Sequence, residues 1–134
     1  MAQSMIYEEQ QIMIGQETVV ECRSPKNGFM VVFEDDGKTG YFYGLDMALH
    51  GNPILDALHI YDAENVSDAH LPSTVQVVWS GDGLKSLLLI NNYPHAVFDF
   101  ENKRGYCKSN FPPADLRWSK FSHEWSDSAL ELFD

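Results

Sequence analysis

Two short segments constrain this chain more than any other feature. Asp36-Gly37 lies between Phe29-Met30-Val31-Val32-Phe33 and Thr39-Gly40-Tyr41-Phe42-Tyr43, and Asp82-Gly83 lies between Thr74-Val75-Gln76-Val77-Val78-Trp79 and Lys85-Ser86-Leu87-Leu88-Leu89-Ile90. Asp-Gly between β-rich runs marks a hairpin, because a type I′ turn needs positive φ, which Asp tolerates and Gly adopts freely. Hairpins are therefore expected over residues 31–45 and 77–91. An offset of 46 positions matches Val31 with Val77, Val32 with Val78, Asp36 with Asp82 and Gly37 with Gly83, and sets Phe33 against Trp79. Shared turn chemistry accounts for that match as well as a duplication does. A strand over residues 57–62 after the first hairpin, and one over 96–100 after the second, makes each half a three-stranded meander. The Trp79-Ser80-Gly81-Asp82-Gly83-Leu84-Lys85 turn also looks like that of some β-propeller blades. A propeller needs at least about four blades of roughly forty residues, more than 134 residues supply.

The remaining chain is less regular. Thr18-Val19-Val20-Glu21-Cys22 suits a strand, residues 63–73 read as a loop, and Tyr106-Cys107-Lys108 suits a short strand ended by Pro112-Pro113. From Leu116 the period changes. Phe121, Trp125, Ala129 and Leu132 fall at i, i+4, i+8 and i+11, the stripe of an amphipathic helix lying across the sheet, and Ser128 with Glu131 has capping-box spacing. The expected fold class is α+β: antiparallel β meanders and hairpins with a C-terminal helix packed on the sheet, in one domain over residues 1–134.

Charge narrows the partners. Nine Lys and Arg stand against twenty Asp and Glu, a net charge of −11, which repels phosphate backbones and anionic lipid heads. Neither nucleic acid nor membrane is expected as a partner, whereas a basic protein suits the surface. Cys22 and Cys107 share no CxxC spacing and read as free thiols. Residues 1–10 carry Glu8 and Glu9 without a basic start or an apolar run, so a cytoplasmic location is expected.

Nucleotide-binding glycine patterns, a His-Glu-x-x-His zinc motif and a Gly-x-Ser-x-Gly elbow are all missing from the sequence. The best catalytic cluster is His95, Asp99, Arg104 and Tyr106: His95 and Asp99 project from one face of a strand, and the turn at residues 101–105 returns Arg104 and Tyr106 toward them. An imidazole oriented by a carboxylate is prepared for general-base work. Four strand positions nonetheless span about 13 Å at roughly 3.3 Å per residue, beyond a direct hydrogen bond. Trp118, Phe121, His123 and Trp125 are candidates for an interaction surface, with core packing as the alternative for the rings. His50, His59 and His70 lack suitably spaced partners, so neither metal nor cofactor is expected.

Several segments carry a family resemblance: Val77-Val78-Trp79-Ser80-Gly81-Asp82-Gly83, Tyr93-Pro94-His95-Ala96-Val97-Phe98-Asp99-Phe100, Arg104-Gly105-Tyr106-Cys107 and Asn110-Phe111-Pro112. Through them the chain resembles a bacterial family, the domain-of-unknown-function family numbered 2251. The likeness extends to Phe33-Glu34-Asp35-Asp36-Gly37, Tyr41-Phe42-Tyr43, Ile54-Leu55-Asp56-Ala57-Leu58 and residues 118–133. It implies a bacterial, cytosolic protein of one domain, and it implies no activity.

Two functional readings follow. One is a non-enzymatic protein-binding or accessory module, of the kind an immunity protein exemplifies, whose acidic face meets a basic partner. The other is a small enzyme or ligand-binding domain that uses the His95, Asp99, Arg104 and Tyr106 region, with Arg104 fixing an anionic group.

Overall fold

The computed structural model describes residues 4–133. Among them run nine strands: β1 (Met5–Ile12), β2 (Thr18–Arg23), β3 (Phe29–Asp35), β4 (Thr39–Asp46), β5 (Ile54–Asp62), β6 (Ser73–Trp79), β7 (Lys85–Ile90), β8 (Tyr93–Asp99) and β9 (Arg104–Cys107). They form two antiparallel sheets, one ordered β2-β3-β4-β5 and the other β1-β6-β7-β8-β9. β3 with β4 and β6 with β7 are the two hairpins, and β5 and β8 extend each into a meander. The hairpins lie in different sheets, face to face.

Alternation places the core between the sheets. Val31, Phe33, Phe42 and Leu58 from the four-stranded sheet meet Val75, Val77, Trp79, Leu88 and Phe98 from the other, all fully buried. A smaller cluster lies on the outer face of the five-stranded sheet, where Val78, Leu87, Val97 and Tyr106 pack against Ala129, Leu130 and Leu132. β1 is different: seven of its eight residues are exposed, as fits a strand at the edge of its sheet.

The turns correct the expected chemistry. The first hairpin closes with Asp36 N donating to Thr39 O, and Gly37 takes φ 97° as the first of two central residues, the type II′ arrangement. Asp36 has no positive φ. Its carboxylate instead accepts from the Lys38 and Thr39 amides at 2.9 and 2.8 Å. The second hairpin closes one step wider, with Ser80 N donating to Lys85 O, and only Gly83 is left-handed, at φ 71°. The paired positive φ values of a type I′ turn occur at Asn91 and Asn92, at 52° and 66°, between β7 and β8. The two Asp-Gly turns are thus built differently despite the shared dipeptide.

Among the described residues there is no α-helix, which overturns the expected α+β class: the fold is antiparallel β with two 3₁₀ turns, Ala63–Asn65 and Asp127–Phe133, and only the second, short one packs on the five-stranded sheet where a helix was expected. The reason is in the serines. Ser119 Oγ accepts from the Phe121 amide at 3.1 Å, Ser122 Oγ from Glu124 at 3.4 Å and Ser126 Oγ from Ser128 at 3.3 Å. Each bond offers the backbone a local turn in place of a helical hydrogen bond. The helical spacing of Phe121, Trp125, Ala129 and Leu132 therefore does not make one stripe: Phe121 is exposed while Ala129 is buried.

Candidate functional site

The chain after β9 is laid along the edge of β5 by a series of bonds. Ser109 Oγ donates to His59 O at 3.0 Å, and the His59 amide donates to Phe111 O at 2.8 Å. Cys107 N donates to His123 O at 3.0 Å. The tightest tie joins His123 Nε2 to Asp56 Oδ2 at 2.6 Å, with both side chains buried. Asp56 Oδ1 also accepts from the amides of Ala57 at 2.9 Å and Asp115 at 3.3 Å. β5 thus fixes Asp115, and Asp115 in turn holds the Arg117 guanidinium at 2.8 and 3.1 Å through its two oxygens.

That strap forms one wall of a cleft between the sheets. Phe29, which opens β3, stacks on Phe100, which follows β8, with centroids 4.5 Å apart and planes 14° from parallel. Trp118 tilts against Phe100 at 6.0 Å and meets Phe98 edge-on at 6.2 Å. With Leu55, the Phe29, Phe100 and Trp118 rings line a cleft of about 420 Å³, whose polar groups come from Asp46, Asn52, Lys103 and the Asp115–Arg117 pair. An apolar lining with few polar groups and a volume of several hundred Å³ is the usual form of a small-ligand site.

The four residues of the expected catalytic cluster separate into two places. His95 packs edge-on to Tyr93 at 5.6 Å, and burial, reinforced by the Lys108 charge, holds its imidazole pKa below the ordinary value. Asp99, Arg104 and Tyr106 border a polar groove of about 660 Å³ that His95 does not reach. Phe121, an interaction candidate, joins that groove. The Arg104 guanidinium lies 4.4 Å from the ring centroids of both Tyr106 and Phe121. Of the other interaction candidates, Trp118 lines the cleft and His123 is buried on Asp56. Trp125 donates through Nε1 to Asp127 at 2.8 Å, with Lys108 Nζ 4.2 Å from its ring centroid. Sequence reasoning missed Asp56, Phe29 and Lys103. The run from Lys103 to Lys120 was a usable signal: residues 102–123 hold five of the nine Lys and Arg but one of the twenty Asp and Glu.

Among the described residues no group of three or more His, Cys, Asp or Glu is placed to hold a metal ion. None of their helices is long and apolar enough to cross a membrane. A bacterial family described as "uncharacterized protein conserved in bacteria", DUF2251, matches residues 12–134. The chain belongs to this family. The DUF2251 match begins at Ile12, the last residue of β1, so it takes in the cleft, the groove and the strap. An uncharacterized protein of Haemophilus influenzae is 49% identical over 88 residues, 66% of this chain. The aligned part spans 55% of that relative's length. No solved structure matches the chain.

Proposed function

We propose that this DUF2251 chain is a binding module whose site is the cleft between Phe29, Phe100 and Trp118. Its ligand is a small molecule with a flat apolar body and an anionic group. The observation that carries the reading is the stacked pair Phe29 and Phe100 bordered by the cations Lys103 and Arg117. Rings offer a flat body stacking and apolar contact, while ammonium and guanidinium groups at the rim select the anion. The lining supports holding a ligand over transforming one, since it includes no His, Cys or Ser. Its two carboxylates already accept hydrogen bonds, Asp46 from the Ala48 amide and Asp115 from Arg117.

Anilinonaphthalene sulfonate, an aromatic sulfonate that fluoresces in apolar surroundings, tests this reading. The native protein is expected to bind it saturably, and Trp118→Ala and Lys103→Gln are each expected to weaken binding about tenfold, or 1.4 kcal/mol. Unchanged affinity in both variants, with cooperative unfolding preserved, contradicts the proposal.

A second reading, capture of a basic protein, has one observation in its favour. β1 is exposed along an unpaired edge and carries Glu8 and Glu9 beside exposed Met5, Ile6 and Tyr7. A second copy of β1 would bring these carboxylates together, whereas a basic extended segment would neutralise them while adding a strand. A short peptide alternating Lys and Val should perturb amide signals along β1, and the perturbation should fall in a Glu8→Gln, Glu9→Gln double variant. Signals that stay fixed on adding the peptide count against this reading.

A further inference from the structure

We propose that Arg104 is the centre of a second binding site, separate from the aromatic cleft, that takes the oxyanion of a small phosphate or carboxylate ligand. The site lies on the outer side of the five-stranded sheet, in the groove bordered by Tyr106, Phe121 and Ser128.

Arg104 is half-buried and its guanidinium lies 4.4 Å from the ring centroids of both Tyr106 and Phe121. Two rings this close limit the movement of the planar group. An arginine carries five N–H donors and is charged at every physiological pH. Among the described residues, Arg104 uses none of these side-chain donors: it makes no side-chain hydrogen bond and no ion pair, and its Nε is buried without a partner. A buried donor left unpaired is costly, and folded proteins seldom keep one without a reason.

Among the described residues no carboxylate pairs with Arg104, although the chain has a net charge of −11 and carboxylates are close by. Two of them are engaged elsewhere. Asp99 faces Arg104 across the β8–β9 ladder, but its carboxylate accepts from the Asn102 amide at 3.1 Å and from Asn102 Nδ2 at 2.8 Å. Glu101 takes the Lys85 ammonium at 2.7 Å. Glu131 borders the groove with no ion pair among the described residues and sets a limit on how much negative charge the site accepts. Lys103, at the wall shared with the aromatic cleft, adds a second cation. A guanidinium without an ion pair, sharing one groove with an ammonium and the Ser128 hydroxyl, suits an oxyanion in its chemistry.

The test is a titration of the whole chain with inorganic phosphate and, separately, with acetate at constant ionic strength, followed by nitrogen-15 NMR at the Arg104 side-chain Nε–H. The expected result is a saturable shift of that signal with one of the two anions, which identifies the oxyanion, accompanied by shifts at Tyr106 and Phe121. Arg104→Lys keeps the charge but loses the planar fork, so its affinity should be at least tenfold lower with an unchanged urea midpoint. Phe121→Leu, at an exposed ring, opens the clamp without emptying the core and should weaken binding less. An Arg104 signal that stays fixed with both anions overturns the proposal, as does an Arg104→Lys protein that binds like the original. Should the variants fail to fold, the titration of the unaltered chain still decides.

Discussion

The imidazole of His123 and the carboxylate of Asp56 meet at 2.6 Å with both side chains closed off from solvent, across 67 positions of sequence. Asp56 is the inner end of a relay that runs through the Asp115 amide to the Arg117 guanidinium at the cleft. Removing one member of a buried hydrogen-bonded pair leaves the other without a partner. Asp56→Ala is therefore expected to cost about 3 kcal/mol in urea unfolding, and to expose the strap over residues 108–126 to proteolysis before the sheets unfold. Equal protease resistance in the variant contradicts this role.

Which features the sequence discloses follows from the range of the interactions behind them. The hairpin strands are legible because Val31, Phe33, Val75 and Val77 alternate with less buried neighbours, and a half-buried sheet imposes that period directly. β1 leaves no such trace, since Met5, Ile6, Tyr7, Glu8 and Glu9 are all exposed and no period is selected. The C-terminal stripe misleads for a local reason: helical spacing is present, but the turns made by Ser119, Ser122 and Ser126 divert the backbone before a helix can form. Arg104 and Tyr106 stand out because two residues on one short strand share a face. Asp56 with His123, and Phe29 with Phe100, are joined only by the packing of distant strands, and nothing nearby in the chain announces either pair.

The second hairpin carries a pH-dependent contribution to stability. Burial pushes the Asp82 carboxyl up, but hydrogen bonds from Ser80, Lys85 and the Leu84 amide outweigh it and bring its pKa from 3.8 down to about 2. A depressed folded-state value stabilises the fold above the unfolded pKa, and the contribution disappears as pH falls through the folded one. The full shift corresponds to roughly 2.4 kcal/mol at 1.36 kcal/mol per unit, and screening of this half-exposed group reduces it to about 1 kcal/mol. Asp82→Asn should accordingly lose about 1 kcal/mol at neutral pH. The difference from the original protein should vanish between about pH 4 and pH 2, measured by urea unfolding across that range.

A second buried carboxylate fastens the first hairpin. Asp35, 1% exposed, accepts from Gly15 N at 2.7 Å, Gly37 N at 2.8 Å and the Tyr61 hydroxyl at 2.6 Å. Tyr61→Phe removes one of these donors while leaving the two amides in place, and should cost about 1 kcal/mol. Asp35→Ala strands all three donors and should cost about 3 kcal/mol or more. Chemical unfolding of both proteins checks the order, and equal losses would show that the tyrosine bond alone carries the tie.

Gly83 couples the two sheets, because its carbonyl accepts from Ser24 Oγ at 2.8 Å and from Asn27 Nδ2 at 2.9 Å, both in the turn between β2 and β3. It is left-handed at φ 71°, and a Cβ there would stand 2.5 Å from Ser24 Oγ and 2.8 Å from Lys26 Cβ. Gly51 has a similar φ of 81° with nothing within 4 Å of the same position. Alanine at Gly51 therefore reports backbone strain alone, about 1 kcal/mol, whereas alanine at Gly83 adds the clash and the displaced bonds, for about 3 kcal/mol. Thermal unfolding of the two variants separates the terms. A Gly83→Ala protein no less stable than Gly51→Ala would mean that the turn between β2 and β3 yields freely, and that this hairpin does not hold the sheets in register.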